Sequence, residues 1–148
     1  MKILMVCLGN ICRSPLAHGI MENMVKEYRL NWEIDSAGTG GWHVGEQPDS
    51  RSIAIARKYG LDITNQICRK FNLLDFENFD KILVMDLNNL NDVKSLARSD
   101  SEHQKVSLFL KEGIVPDPYY NDDQFDEVYQ MIEKRCREII EEFKASSI

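Results

Sequence analysis

The sequence lacks any long apolar segment. The apolar run near its start covers only residues 3–8, whereas a helix that crosses a bilayer needs about 20 such residues. Its four cysteines show no paired C-x-x-C spacing and follow no secretory signal peptide. The cysteine pattern argues against a disulfide framework and favours a reducing compartment. We therefore expect a cytoplasmic protein that does not enter a membrane and keeps its thiols for chemistry or packing.

The chain also lacks an excess of positive charge. Its 18 Lys and Arg residues face 24 Asp and Glu residues, so the net charge is −6. A nucleic-acid binder needs a basic face, so we expect no nucleic-acid partner. A small phosphate ligand is still compatible with this charge, because exposed carboxylates are screened over about 8 Å at physiological salt.

Repeats, low-complexity tracts and linkers are absent, and 148 residues are enough for one domain with a full core. Residues 1–148 are therefore predicted to form a single domain.

One stretch near the start combines an apolar strand pattern, a short loop and a helical pattern. It reads Val6-Cys7-Leu8-Gly9-Asn10-Ile11-Cys12-Arg13-Ser14-Pro15. Backbone N–H groups in such a strand-to-helix turn have no intrahelical partner and bind anions. Glycine and asparagine adopt the left-handed conformations that a loop around an anion requires. Pro15 suits the first turn of the helix.

Three side chains of this stretch suggest phosphoryl chemistry. The positive field of the turn favours a thiolate at Cys7, which would be the nucleophile. Arg13 lies six residues later and can offer a planar fork to two phosphate oxygens, while Ser14 can donate a hydrogen bond to the sulfur. Taken singly, such a cysteine is usually buried and inert and such an arginine usually lies on the surface. The joint spacing at the end of a strand is what predicts a phosphate site.

The remaining chain predicts alternating strands and helices. Apolar runs indicate strands at residues 2–6, 32–35, 81–85 and 106–109. Helical spacing indicates helices at 14–28, 53–59, 87–97 and 124–143, and residues 48–50 open the second of these while Gly60 ends it. Loops are predicted at residues 36–45, 99–104 and 115–120, and residues 71–79 show helical spacing. This order predicts an α/β fold of three layers, with an open, mostly parallel four-stranded sheet and helices on both faces.

Loops that follow the strands of such a sheet share one edge. Asp86 and Asp117 could therefore lie near Cys7, although Asp117 is 110 positions away. Asp86 could cap the following helix or hydrogen-bond to the site, and both roles stay open. Trp42, in the glycine-rich loop, could pack on its own loop or form a wall of the site.

The stretch Cys7 to Ser14, together with Asp117-Pro118-Tyr119-Tyr120, resembles the low-molecular-weight protein tyrosine phosphatases. The resemblance covers nearly the whole chain and includes residues 35–39, the Trp42 loop and Met85-Asp86 with Asn89. It implies a flavodoxin-like fold of the phosphotyrosine phosphatase I type. It also implies an enzyme without metal or cofactor that hydrolyses phosphotyrosine through a phosphocysteine on Cys7, with Arg13 and loop amides binding phosphate. Asp117 would be the general acid and base.

The resemblance also implies roles for the surrounding residues. Asn10 would be held in a left-handed conformation by hydrogen bonds to Ser14 and Ser36. Asp86 would support the loop, and Cys12 would be a redox partner of Cys7, unless it is only a small buried side chain. The residues that would line the substrate cleft are Leu8, Ile11, Trp42, His43, Tyr119 and Tyr120.

Implied partners are phosphotyrosine proteins or peptides, including a bacterial tyrosine kinase, with inorganic phosphate as product and a monomer or weak dimer as the assembly. Two positions depart from the family pattern. Gln66 stands where many relatives place His, which puts a hydrogen-bond network around the loop in doubt, and His18 stands where they place an acidic residue, which changes the local charge of the cleft.

Three other functions remain open. An arsenate reductase of the same fold would need two further redox cysteines after the third strand, and residues 80–95 contain no cysteine. Phosphoarginine phosphatases resemble this chain with Thr in place of Ile11, whose burial favours a flat phenyl ring over a guanidinium. A non-catalytic phosphate-binding module would need neither Cys7 nor Asp117.

Overall fold

The computed structural model describes residues 1–146. Its sheet consists of β1 (Lys2–Cys7), β2 (Glu33–Gly38), β3 (Lys81–Val84) and β4 (Val106–Leu108). The strand order is β2-β1-β3-β4, and every neighbouring pair is parallel. β1 is a central strand whose side chains are buried on both faces after Lys2, as its continuous apolar run predicts.

Within residues 1–146, six α-helices surround the sheet. They are α1 (Arg13–Glu27), α2 (Ser50–Lys58), α3 (Asp75–Asn78), α4 (Leu87–Ser95), α5 (Asp100–Lys105) and α6 (Phe125–Ser146), and a 3₁₀ turn at Asp122–Gln124 precedes α6. Asp49 caps α2 by accepting a hydrogen bond from the backbone N–H of Arg51 at 2.8 Å. Gly60 follows the C-cap of α2 with a φ of +84°, a left-handed conformation that suits glycine.

The side chains of alternate residues of β1 are buried against opposite layers of helices. Ile3 and Met5 belong to a core that includes side chains of α1 and α6, whereas Leu4 and Val6 belong to a second core with Phe76 of α3, Val93 of α4 and Phe71. The predicted three-layer α/β fold is therefore confirmed, with a sheet that is parallel throughout. No helix within residues 1–146 has the length and apolarity needed to span a membrane.

Two predicted loops are wrong in part. Residues 36–38 continue β2, because the small buried residues Ser36, Ala37 and Gly38 keep pairing with β1 up to Cys7. Residues 100–105 form α5 instead of a loop. Ser99 caps that helix by accepting from the backbone N–H of Glu102 at 3.2 Å, so the Ser-x-x-Glu spacing was a helix signal.

The region 71–79 is less helical than its spacing predicts. Its only helix among the described residues is the four-residue α3, and Leu73 is exposed while Phe76 is buried. The side chain of Asn72 accepts a hydrogen bond from the backbone N–H of Leu74 at 2.9 Å, which favours a turn over a continuing helix. The helical prediction there holds for one turn.

Candidate active site

The loop between β1 and α1 joins Cys7, the last residue of β1, to Arg13, the first residue of α1. Asn10 adopts a left-handed conformation with a φ of +58°, as predicted. Among the described residues, no backbone or side-chain acceptor receives a hydrogen bond from the backbone N–H groups of residues 8–12. Five consecutive unpaired N–H groups at a helix N-terminus are suited to hold an anion.

The thiol of Cys7 lies beside a hydroxyl that a neighbouring side chain orients. Cys7 Sγ is 3.0 Å from Ser14 Oγ. Asn10 Nδ2 donates to the same oxygen at 2.8 Å, so the hydroxyl hydrogen of Ser14 can point to the sulfur or to the more distant carbonyl oxygen of Ala37 at 3.5 Å. This geometry allows Ser14 to stabilise negative charge on Cys7.

Arg13 is buried and fixed by acceptors of two other segments. Its side chain donates through Nη1 to Asp86 Oδ2 at 2.7 Å and to the carbonyl oxygen of Val115 at 3.0 Å. Burial alone would lower the pKa of Arg13, but Cys7, Asp86 and Asp117 together raise it, so the guanidinium stays charged. Asp86 also accepts from the backbone N–H of Asn89 at 2.8 Å, so it both caps α4 and supports Arg13.

A cleft of about 290 Å³ opens in front of Cys7. Asp117 reaches it from the distant loop, and its Oδ2 lies 3.6 Å from Arg13 Nη2. The other residues that line the cleft are Leu8, Gly9, Ile11, Cys12, Trp42, His43, Tyr119 and Tyr120. The structure thus brings every predicted cleft residue to one site.

Trp42 both packs on its own loop and forms a wall of the cleft. A Cβ atom added to Gly40 would lie 1.9 Å from Cζ3 of the Trp42 ring, so the ring rests directly on the Gly40 backbone. The side chain is nevertheless 70 % exposed. The neighbouring His43 faces Glu46, with Nδ1 and Oε2 3.0 Å apart.

The structure differs from the expectation for Ser36. Its hydroxyl lies 3.0 Å from Nδ1 of His18, and Asn10 is held by other partners. Glu22 lies 3.4 Å from Nε2 of His18, and its hydrogen bond to His18 is the main cause of a lowered pKa of Glu22. Ser36 therefore supports α1 through His18.

Gln66, the other position that departs from the family pattern, donates through its side-chain amide to the carbonyl oxygen of Pro15 at 3.1 Å.

Asn10 is also held by two residues for which the sequence showed no functional pattern. Arg69 donates its backbone N–H to Asn10 Oδ1 at 2.9 Å, and the thiol of Cys68 donates to the carbonyl oxygen of Asn10 at 2.8 Å. The side chain of Arg69 binds Asp35 and Asp75 at 3.0–3.2 Å. The contacts of Asn10 and Asp35 with residues 68–69 join segments far apart in the chain, so no local pattern could have shown them.

Gly38, predicted to lie in a loop, ends β2 and is a further position on which the site depends. A Cβ atom there would lie 2.9 Å from the carbonyl oxygen of Leu8 and 3.0 Å from the backbone nitrogen of Asn10. Any other residue would push against the loop, so glycine is required for β2 to approach it closely.

The residues described include no group of three or more His, Cys, Asp or Glu side chains suited to hold a metal ion. A parallel sheet with a thiol beneath an anion-binding loop, a buried arginine and an aromatic cleft defines the class of α/β proteins that bind phosphate groups through a strand-to-helix turn.

Comparisons with known proteins identify the family. The family model of the low molecular weight phosphotyrosine protein phosphatases matches residues 2–147. A pig member is 36 % identical over 97 % of this chain and 96 % of its own. The solved protein tyrosine phosphatase of Entamoeba histolytica has a TM-score of 0.91 and 34 % identity over 100 % of this chain and 99 % of its own. A Drosophila arginine phosphatase has a TM-score of 0.90 and 34 % identity over 97 % of this chain and 98 % of its own. The chain belongs to the low molecular weight phosphotyrosine protein phosphatase family, whose members are enzymes.

Proposed function

We propose that this protein hydrolyses phosphotyrosine and small aryl phosphates through a phosphocysteine on Cys7. The observation that carries the proposal is the position of the Cys7 thiol at one cleft with Arg13, Asp117 and five unpaired loop N–H groups. The loop groups would bind three phosphate oxygens, and Arg13 would add two donors from a buried, charged fork. A phosphate bound in this way presents its phosphorus atom to the sulfur.

In the first step, the Cys7 thiolate forms a bond to phosphorus as the bond between phosphorus and the phenol oxygen breaks. The loop N–H groups and Arg13 stabilise the charge on the oxygens during this displacement. Asp117, at the mouth of the cleft, donates its proton to the departing phenol oxygen. The products of this step are the phenol and a phosphocysteine.

In the second step, Asp117 takes a proton from water, and the water oxygen attacks phosphorus. The bond between sulfur and phosphorus breaks, and Ser14, 3.0 Å from Cys7 Sγ, stabilises the thiolate that leaves. Inorganic phosphate is released, and Asp117 is protonated again for the next substrate. The same carboxyl group therefore serves as acid and then as base.

The walls of the cleft favour an aromatic leaving group. Ile11, Trp42 and Tyr119 all line it, and an apolar ring placed among such side chains gains burial energy that a guanidinium does not. We therefore propose phosphotyrosine as the substrate class.

Phosphoarginine is the second candidate, because the similar Drosophila protein is named an arginine phosphatase. We expect kcat/KM for a phosphotyrosine peptide to exceed that for the matched phosphoarginine peptide by about 10- to 100-fold, the ratio that 1.5–3 kcal/mol of side-chain burial provides. The measurement is phosphate release from both peptides, corrected for the spontaneous hydrolysis of phosphoarginine. Ile11→Thr is the control variant, and it should reduce the ratio. A larger kcat/KM for phosphoarginine would contradict the proposed substrate class.

The arsenate reductase alternative has no support in the cysteine positions. Cys136 is a fully buried residue of α6, and burial raises the pKa of its thiol. Cys68 is buried behind the loop, and burial raises its pKa to about 11. Neither thiol lines the cleft.

Cys12 is the proposed redox partner of Cys7. Peroxide would oxidise the Cys7 thiolate to a sulfenic acid, and the Cys12 thiolate would then attack that sulfur and form a disulfide, while the displaced hydroxide takes up a proton and leaves as water. Burial, with Asp49 and Cys7 as further causes, raises the pKa of Cys12, so disulfide formation should become faster as pH rises. After peroxide treatment, wild type should regain activity with dithiothreitol to a greater extent than Cys12→Ala. Equal recovery of the two proteins would exclude this role.

Several other points stay predictions. They are the cytoplasmic location, the single domain, the bacterial tyrosine kinase partner, the absence of a nucleic-acid partner and the monomer or weak dimer.

A further inference from the structure

One arginine makes the side-chain hydrogen bonds that hold the second half of the loop that carries Asp117. We define residues 117–122 as the acid loop. Arg51 of α2 donates through Nη1 to the carbonyl oxygen of Tyr119 at 2.8 Å and to Asp122 Oδ1 at 2.6 Å. Among residues 1–146, these are the hydrogen bonds that join the acid loop to segments outside residues 117–125. The other polar link is the 3.6 Å ion pair between Asp117 and Arg13.

Arg51 also stacks on the aromatic side chains that border the acid loop. Its guanidinium carbon lies 5.2 Å from the ring centroid of Tyr119 and 4.7 Å from that of Phe125. Such contacts are attractive and orient the plane of the guanidinium. Within the acid loop Pro118 is buried, whereas Tyr120 is 91 % exposed and the Asp122 side chain 79 %. Apolar burial therefore holds the loop at Pro118, and the polar contacts of Arg51 hold its second half, residues 119–122.

The opposite edge of the same guanidinium is linked, through Asp49, to residues 8–12 between β1 and α1, which we call the phosphate-binding loop. Arg51 donates through Nε and Nη2 to the two carboxylate oxygens of Asp49, each at 2.9 Å. These side-chain hydrogen bonds are the main cause of a lowered pKa of Asp49. The backbone N–H of Asp49 donates to the carbonyl oxygen of Ile11 at 2.8 Å. One chain of contacts thus runs from the phosphate-binding loop through Asp49 and Arg51 to the acid loop.

We propose that Arg51 is a positioning residue that sets the distance between the Asp117 carboxyl group and the phosphate held above Cys7. The proposal rests on the proposed function, because it assumes that Asp117 is the general acid. Because the planar guanidinium binds Asp49 on one edge and the acid loop on the other, it fixes the position of the acid loop relative to the phosphate-binding loop. A displacement of about 1 Å in such a group can cost up to about 10²-fold in rate.

The test is Arg51→Gln, assayed as kcat/KM over a series of aryl phosphates whose phenols differ in pKa. We expect a loss of about 10- to 100-fold for phenyl phosphate, whose phenol must be protonated as it leaves. For p-nitrophenyl phosphate, a much better leaving group, the loss should be under about threefold, because a misplaced acid matters little there. The inhibition constant of inorganic phosphate should be unchanged. Arg57→Gln, exposed on the same helix, is the matched control and should behave as wild type.

A second variant guards against misfolding of Arg51→Gln. Asp122→Asn weakens only one of the two bonds from Arg51 to the acid loop and should show the same dependence on phenol pKa with a smaller loss. When Arg51→Gln is added to the Asp117→Asn variant, kcat/KM for phenyl phosphate should not fall any further. An equal loss for all phenols, or a weaker phosphate inhibition, would show that Arg51 is only structural and would overturn the proposal. If Asp117→Asn itself leaves the dependence on phenol pKa unchanged, the proposed acid is wrong and the role of Arg51 falls with it.

Discussion

Replacing Cys7 by Ser is expected to abolish turnover of p-nitrophenyl phosphate, with a loss on the order of 10⁶-fold, as when a covalent nucleophile is removed from other hydrolases. A serine hydroxyl in this loop is not ionised at neutral pH and is a poor leaving group in the second step. The loop N–H groups and Arg13 are unaffected, so the variant should still bind inorganic phosphate. Steady-state assays and isothermal titration calorimetry measure the two properties.

Cys136→Ala is the matched control for this variant. Cys136 is a fully buried thiol of α6 that does not line the cleft, so the variant loses a cysteine without touching the site and should remain active. Turnover by Cys7→Ser within about tenfold of wild type would contradict the role of Cys7. A wild type that binds phosphate but never turns over an aryl phosphate would instead support the non-catalytic binding module.

Replacing Asp117 by Asn is expected to reduce kcat/KM for phenyl phosphate by about 10²- to 10⁴-fold, the usual contribution of a positioned general acid. The amide cannot donate a proton to the phenol oxygen as a carboxylic acid can. For p-nitrophenyl phosphate the loss in kcat/KM should be much smaller, because its phenol leaves without protonation. kcat should fall for both substrates, since Asp117 also activates water in the second step.

Asp123→Asn provides the control for the loss of a nearby negative charge. Asp123 is exposed in the 3₁₀ turn after the acid loop and does not line the cleft, so both substrates should be hydrolysed as by wild type. An equal loss in kcat/KM for the two phenols in Asp117→Asn would remove Asp117 as the acid. It would leave the phosphate-binding part of the proposal intact.

The nucleophile loop could be predicted from the sequence because its chemistry is local. Cys7 and Arg13 lie in one short segment between an apolar strand and a helix, and the anion-binding property follows from that turn alone. Asp117 is different, since it is 110 positions from Cys7. The shared edge of a parallel sheet made its approach plausible, and the family resemblance pointed to that residue.

The remaining contacts depend on pairs of distant residues that no spacing rule reports. Arg69 holds Asn10 only because residues 68–71 lie beside the end of β2, and Ser36 pairs with His18 rather than with Asn10. The link from Arg51 to the acid loop spans 68 positions. The difference at α5 has another cause, because the spacing Ser99-x-x-Glu102 is a local cap signal within an otherwise polar segment.

The phosphocysteine on Cys7 can be tested directly by rapid acid quenching of the enzyme during turnover of a phosphotyrosine peptide. Mass spectrometry of the digested protein then locates any covalent phosphate. We predict that the phosphate is attached to the peptide that contains Cys7, that it appears no later than the first turnover, and that it accumulates further in Asp117→Asn, where water is activated poorly. Phosphate release without any labelled Cys7, or a label on another residue, would contradict the proposed mechanism.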